Sequence, residues 1–426
     1  MKPKGFERLF YFRALSFFSR FRQYKYKHVI IGFDSMKSNT KISNDYKFGL
    51  TGAKKKLGIN NWRFVFNGVN TSTGAEQMFY IEFEMLNPWT SSDAVLLGFK
   101  PRVSISAEDL QYALAGTDSA KNLSTEAIVQ PSYCAVRVGT FGVEGKQLCS
   151  YYPVKQVKFG NKPFEIIVDN KYFNENKIGG FINVPEEEKA AHPELLCDAG
   201  YAKWEISYTV KKDYRNGYKS DLLRWFPFGL QTVFSGTIHF DGSEYAVDPK
   251  RCCGYSERFW GKGLPEPYFH ISAANLTSVI SGKTLFESSF AVNGIFDERV
   301  SFVGKFEDID IELCADGSKR QFSVVWDCSQ MPENENPEEN LLHWSTSLNS
   351  KEWVIDIDVF CKIRELNNRT IELPEGQRKV LNLLEGGTGT GEIKLYKHIG
   401  NTLEQIEHAT LQKAFCEFGH IEDGEF

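Results

Sequence analysis

The chain has 426 residues, 42% apolar and 25% charged, enough for two or three soluble domains with sizeable cores. A net charge of −5, with basic residues dispersed after residue 60, excludes a broad nucleic-acid surface. No apolar run approaches the roughly 18 residues that a membrane span needs. Aromatic residues reach 14%, with 34 Phe and 18 Tyr. Such side chains favour strands and line apolar pockets.

Residues 1–28 carry eight Lys/Arg and one acid, Glu7. Charges interrupt this segment throughout, so it lacks the apolar stretch of a signal peptide. Phe6, Leu9, Phe10, Phe17, Phe18 and Phe21 recur at helical spacing among arginines. Two readings stand: a basic amphipathic helix in peripheral contact with an anionic membrane surface, or a segment packed on the protein's own body.

From about residue 60 the pattern is period two, as in "NWRFVFNGVN", "QMFYIEFEML", "FEIIVDNKYF" and "KEWVIDIDVFCKI". Asp241-Gly242, between "GTIHF" and "SEYAV", signals a two-residue hairpin. Strands every 10–15 residues predict an all-β protein of two tandem barrel or sandwich domains, joined near 215–250. Few helices are expected: 106–116 behind Ser106 as N-cap, a short helix or loop over 185–196, and a C-terminal helix over 402–415. Residues 331–340 read as an exposed acidic loop, and the glycine run in "EGGTGTGEIKLY" (385–396) as a turn before a closing strand.

Histidines and cysteines offer no metal motif, so no cofactor is expected. The nine scattered cysteines suit reduced thiols in a cytoplasmic setting. A G-x-S-x-G elbow is also missing, which leaves a serine hydrolase unsupported.

The densest stretch is "RCCGYSERFWGKGLPEPYFH" (251–270). In an extended strand Tyr255 and Glu257 point the same way. Upstream, "LLRWFPFGL" supplies Arg224, Trp225, Phe226 and Phe228. A carboxyl among aromatic rings is pushed towards its neutral form, as a general acid for a weak base requires, and aromatic faces stabilise carbocations. The other reading pairs Glu257 with Arg251, Arg258 or Arg224 at a barrel rim.

Gly254-Tyr255-Ser256-Glu257-Arg258-Phe259-Trp260-Gly261 resembles the G-Y-x-E-x-x-W-G signature of the tocopherol cyclase-like family. That family sits in a broader lipocalin-like group with carotenoid 1,2-hydratases and AttH-like proteins. "RWFP" (224–227), Gly236, Asp241-Gly242, "GYAKWEISY" and "GGTGTGEIKLY" match weaker family features, so the likeness spans about residues 60–397. Ser256 and Phe259 depart from the cyclase pattern, as do Tyr268, His270 and Ser272, where cyclases carry Trp, Trp and Gln.

The resemblance implies two lipocalin-like β-domains around an apolar cavity, with cofactor-free proton chemistry on isoprenoid double bonds. The layout expected is a basic segment (1–40), β-domains at 41–235 and 236–400, and a C-terminal helix and tail (401–426). Glu257 falls in the role of proton donor with Tyr255 beside it. Trp260, Trp225, Tyr268, His270 and Arg224 are the expected substrate contacts. Two further functions stand beside this one. The first is a non-catalytic binder of lipid or another hydrophobic small molecule. The second is a carbohydrate-active sandwich, which would need a second carboxylate about 5–10 Å from the first.

Overall fold

The computed structural model describes residues 58–90, 93–98, 130–161, 164–212, 222–252, 254–296, 298–315, 322–376 and 379–423. The basic segment 1–28 and the helix expected at 106–116 lie outside them. The described chain is almost entirely antiparallel β-structure, arranged as two sheets. The first contains β1 (Ile59–Asn70), β2 (Glu76–Leu86), β3 (Tyr133–Phe141), β4 (Gln147–Tyr152), β5 (Lys158–Asn161), β6 (Phe164–Val168), β7 (Lys171–Asn174), β8 (Lys177–Val184), β9 (Gly200–Lys212), β10 (Leu223–Phe240), β11 (Ser243–Val247) and β12 (Gly254–Gly261). The second contains β13 (Tyr268–Ala273), β14 (Leu276–Ser278), β15 (Ser289–Phe296), β16 (Arg299–Phe306), β17 (Ile309–Leu313), β18 (Phe322–Gln330), β19 (Leu341–Ser350), β20 (Trp353–Lys362), β21 (Asn367–Glu372), β22 (Lys379–Ile399) and β23 (Thr402–Asp423).

In the first sheet the order is β4-β3-β2-β1-β11-β10-β9-β8-β7-β6-β5, and β12 bridges β1 and β10. In the second it is β17-β16-β15-β13-β23-β22-β20-β19-β18, with β14 on β23 and β21 on β22. The change of sheet falls between Gly261 and Tyr268, whereas the expected break at 235/236 lies inside β10. The Asp241-Gly242 hairpin is present, with φ of 46° and 81° at the two turn residues.

Strand parity sorts the apolar residues into three cores. Trp62, Phe64 and Phe66 of β1 point into the first sheet, with Phe79, Phe173 and Trp204. Phe269, Trp344, Ile355 and Cys416 fill the second. A third core lies between the sheets and draws on both: Val65, Tyr80, Tyr133, Tyr255 and Phe259 meet Tyr268, Leu381, Leu383 and Phe415. The inner strands are therefore buried on both faces. The polar half of their alternation faces another sheet instead of water.

Two expectations are corrected. Residues 402–415 form most of β23, not a helix, and pair with β22 across a tight turn at Gly400-Asn401. Helix-favouring residues are outweighed there by a ladder running the length of β22, and burial alternates at Ala409, Thr410, Leu411 and Gln412. The glycine run likewise lies inside β22, where register shifts bend the strand at Gly386, Gly389 and Gly391. These glycines permit close approach: a Cβ on Gly391 would fall 1.9 Å from the Asp358 carbonyl oxygen, and one on Gly387 2.4 Å from the Phe141 ring. The 185–196 segment holds the one α-helix among the described residues, Glu186–Ala191, and a following 3-10 turn. Residues 331–340 are mostly exposed, as expected.

Substituting Gly391→Ala is expected to force β20 and β22 apart and to cost about 2 kcal/mol or more. Urea denaturation of variant and parent measures it.

Candidate active site

Glu257 lies on β12 with no exposed surface. Its strand neighbours set its surroundings. Register places it opposite Arg63 on β1, Arg63 opposite Glu82 on β2, and Glu82 opposite Arg137 on β3. The result is a straight row of alternating charges across four strands. A second row crosses the other sheet: Asn293 on β15, His270 on β13, Glu417 on β23 and Glu385 on β22 are successive cross-strand partners. The two rows face each other between the sheets and interlock. Arg63 Nη1 donates to Glu417 Oε1 at 2.7 Å, and its Nε and Nη2 donate to Glu82 at 3.1 and 3.0 Å. Arg369, on β21, reaches back to Glu82 at 2.7–2.8 Å and to Glu385 at 3.5 Å. Arg137 donates to Glu82 at 2.7 Å and Glu84 at 3.0 Å.

Glu257 is treated differently from the other acids. Trp225 Nε1 and the Tyr255 hydroxyl donate to its Oε2 at 2.6 and 2.8 Å. Oε1 has no hydrogen-bond partner, and Arg63 Nη1 stands 3.7 Å from it. Trp225 pairs with Phe259, two residues along β12 from Glu257 and on the same face, so its indole meets the carboxyl as a diagonal neighbour. Burial raises the Glu257 pKa, against the opposing pull of Arg63 and the two donors. Since both donors bind Oε2, the proton of the neutral acid resides on Oε1.

His270 is also fully buried. Burial, then the Arg63 charge, holds its pKa well below the usual range, so the ring is neutral. The Asn293 amide donates to His270 Nδ1 at 3.0 Å and to the Tyr268 hydroxyl at 3.1 Å. With Nδ1 accepting, the ring proton sits on Nε2 and donates to Ser272 Oγ at 3.2 Å. His270 Nδ1 lies 3.9 Å from Glu257 Oε2. Tyr255 and Phe415 flank the His270 ring, at 5.4 and 5.2 Å between centroids.

Arg63, Arg137 and Arg369 thus bond the buried carboxyls of Glu82, Glu84, Glu385 and Glu417, while Glu257 and Glu372 are buried without a hydrogen bond to any of the three. Ion pairing with three arginines overcomes burial at Glu82 and holds its pKa far below the carboxylate range. Burial pushes Glu385 up to about 7 and Glu372 up to about 8, and it raises Glu417 as well.

Single ligand atoms of Glu257, His270 and Glu417 lie within 4.8 Å of one another, a spacing that a metal ion could use. The cationic place among them is already taken by Arg63, whose guanidinium touches Glu417 and adjoins Glu257. The donor set fits proton handling better than metal binding.

The structure joins Glu257, Tyr255, Trp225, Tyr268 and His270 in one cluster. Trp260 and Arg224 do not belong to it. Trp260 has the opposite parity on β12 and stacks under Arg258, whose Cζ is 4.5 Å from its ring centre. Arg224 is exposed, as its alternation with Trp225 requires. The expected rim arginines are engaged elsewhere: Arg258 with Asn60 and Arg251 with Glu76. Arg63, Asn293, Phe415 and Glu417 are site residues that the sequence reading did not single out.

No family model matches the chain, and no curated protein does. Solved structures similar to it include the following two. One is an AttH-like protein from Nitrosomonas europaea, at 10% identity and a TM-score of 0.40, over 89% of this chain and 99% of that one. The other is kievitone hydratase from Nectria haematococca, at 11% identity and a TM-score of 0.41, over 84% of this chain and 88% of that one.

Acids with raised folded-state pKa values bind more protons folded than unfolded. Their favourable contribution is present at low pH and is lost as pH rises from the unfolded value through the folded one. Stability is therefore expected to fall between about pH 4.5 and 8, the window set by Glu385 and Glu372. Urea titrations across that range measure it, and Glu372→Gln should flatten the upper part. Arg63→Met is expected to cost about 3–5 kcal/mol at pH 7, because it strands buried carboxylates; the same titrations read the loss.

Proposed function

We propose that this chain is a cofactor-independent enzyme of hydratase, cyclase or isomerase type. Its substrate is a hydrophobic, isoprenoid-like molecule, and its first step is protonation of a carbon–carbon double bond. One observation carries this reading. A buried carboxyl is anchored through one oxygen by two uncharged donors, and its other oxygen has no hydrogen-bond partner and lies 3.7 Å from Arg63 Nη1.

An alkene is a reluctant base, so it needs an acid that gains little from being ionised beforehand. Desolvation provides that at Glu257. Oε1–H transfers its proton to one alkene carbon, and the π electrons form the new C–H bond. The carbocation left on the neighbouring carbon is stabilised by the faces of Trp225, Tyr255 and Phe415. The Glu257 carboxylate that remains is held by the Trp225 and Tyr255 donors and by the Arg63 charge.

The cation is then consumed in one of three ways. Water adds, a substrate hydroxyl closes a ring, or an adjacent C–H proton is lost. Each route releases one proton. Glu417 Oε2, which has no hydrogen-bond partner, is the group we assign to accept it. The two carboxylates repel each other, so ionisation of Glu257 favours the neutral form of Glu417. Neutral His270 and Tyr268 complete the wall.

Turnover in D2O is expected to place one deuterium on the product carbon, as read by mass spectrometry of prenylated aromatic substrates. Glu257→Gln should lower that rate by at least a thousandfold while leaving the circular dichroism unchanged. Undiminished deuterium incorporation in that variant would refute the proton-donor role, and the chain would then be a binder of hydrophobic molecules.

A further inference from the structure

Glu257 has no exposed surface, so a substrate needs a way in. A cleft of about 360 Å³ opens between the two sheets, away from the acid. Its size lies within the range of small-molecule pockets. Met78, Phe141 and Val143 come from the first sheet and its β3–β4 turn; Thr388, Thr390 and Gln412 come from β22 and β23.

The floor of this cleft is the back wall of the acid site. Phe141 lies 5.5 Å from Phe415 between ring centres. On its other side Phe415 faces His270 at 5.2 Å and carries the Arg63 guanidinium 5.2 Å above its ring. Two rings in series therefore separate the cleft from the Glu257–Arg63–Glu417 cluster. Phe141 can sit there because residue 387 is glycine, whose missing Cβ leaves room for the ring.

The rim is internally neutralised. Lys413 forms an ion pair with Glu76, which also accepts from Arg251 at 3.0 Å. Lys413 holds a left-handed backbone, with φ of 54°, a conformation uncommon for lysine. Glu365 accepts from the Thr388 hydroxyl at 2.5 Å. The charged groups thus have partners within the protein, while the apolar wall and the Thr390 and Gln412 side chains face the opening.

We infer that this cleft is a binding site for a neutral molecule with an apolar, aromatic or isoprenoid body and a hydroxyl-type polar end, and that the Phe141–Phe415 pair is the partition such a molecule passes to reach Glu257. The identification of the occupant as substrate rests on the proton-transfer reading; the binding site stands without it.

The probe is N-phenyl-1-naphthylamine, a neutral aromatic amine whose fluorescence rises in apolar surroundings. Saturable one-to-one binding to the full chain is expected. Val143→Trp combined with Thr390→Trp, both at exposed positions, should weaken it at least tenfold with unchanged circular dichroism. Glu257→Gln should leave the affinity unaltered. Failure of the parent chain to bind saturably, or undiminished affinity in the double variant, overturns the cleft. If the double variant does not fold, Val143→Arg alone decides by the same criterion. Binding lost in the cleft variants, together with full deuterium incorporation in Glu257→Gln, would retain the cleft and discard the proton chemistry.

Discussion

Two buried guanidiniums, Arg63 from one sheet and Arg369 from the other, tie the halves of this molecule together. Arg63 gives two hydrogen bonds to Glu82 within its own sheet and one to Glu417 in the other, in a layer closed to water. Such a buried pair is a poor source of net stability, because removing the charges from water costs about as much as their attraction returns. What it contributes here is alignment. A slip of two residues along β23 keeps every side chain on its face but sets Phe415 or Gly419 where Glu417 should meet Arg63. The apolar residues between the sheets tolerate such slips far better than the charged rows do.

The same rows account for the state of Glu257. Arg63 spends its hydrogen bonds on Glu82 and Glu417, although strand register puts it directly opposite Glu257. Glu257 is left with uncharged donors on one oxygen and none on the other. An arginine close enough to stabilise a carboxylate once formed, yet not bonded to it beforehand, is the electrostatic arrangement an acid catalyst requires. Burial raises the pKa values of Glu257, Glu372, Glu385 and Glu417 in this layer, whereas ion pairing with the arginines holds that of Glu82 down.

Much of this was legible in the chain itself. Period two gave away the all-β architecture, Asp241-Gly242 marked its hairpin, and parity placed Tyr255 beside Glu257. The C-terminal strand was not legible, because the leucines, glutamates and lysines of "TLEQIEHATLQKAF" suit a helix until β22 is there to pair with them. The ionic layer escaped for a different reason. Alternation separates apolar from polar faces, but it does not say whether the polar face meets water or a second sheet. A faint signal existed in lone charges flanked by large apolar residues, as at Arg63 in "WRFVF" and Glu82 in "FYIEF". Trp260 and Arg224 lie off the Glu257 cluster because strand parity, not proximity in sequence, decides which side chains share a face.

The bond between Arg63 and Glu417 spans 354 positions of sequence. Contacts so distant form late, because a long loop must close before they do any good. Until β23 is in place, the charged face of β1, β2 and β12 stays in water, where its carboxyls ionise in the ordinary way and keep a half-built sheet soluble. Burial, the cause of the raised Glu257 pKa, is complete only when the second sheet covers it. A chain truncated before β23 is thus expected to carry the motif of β12 in full and none of its altered acidity.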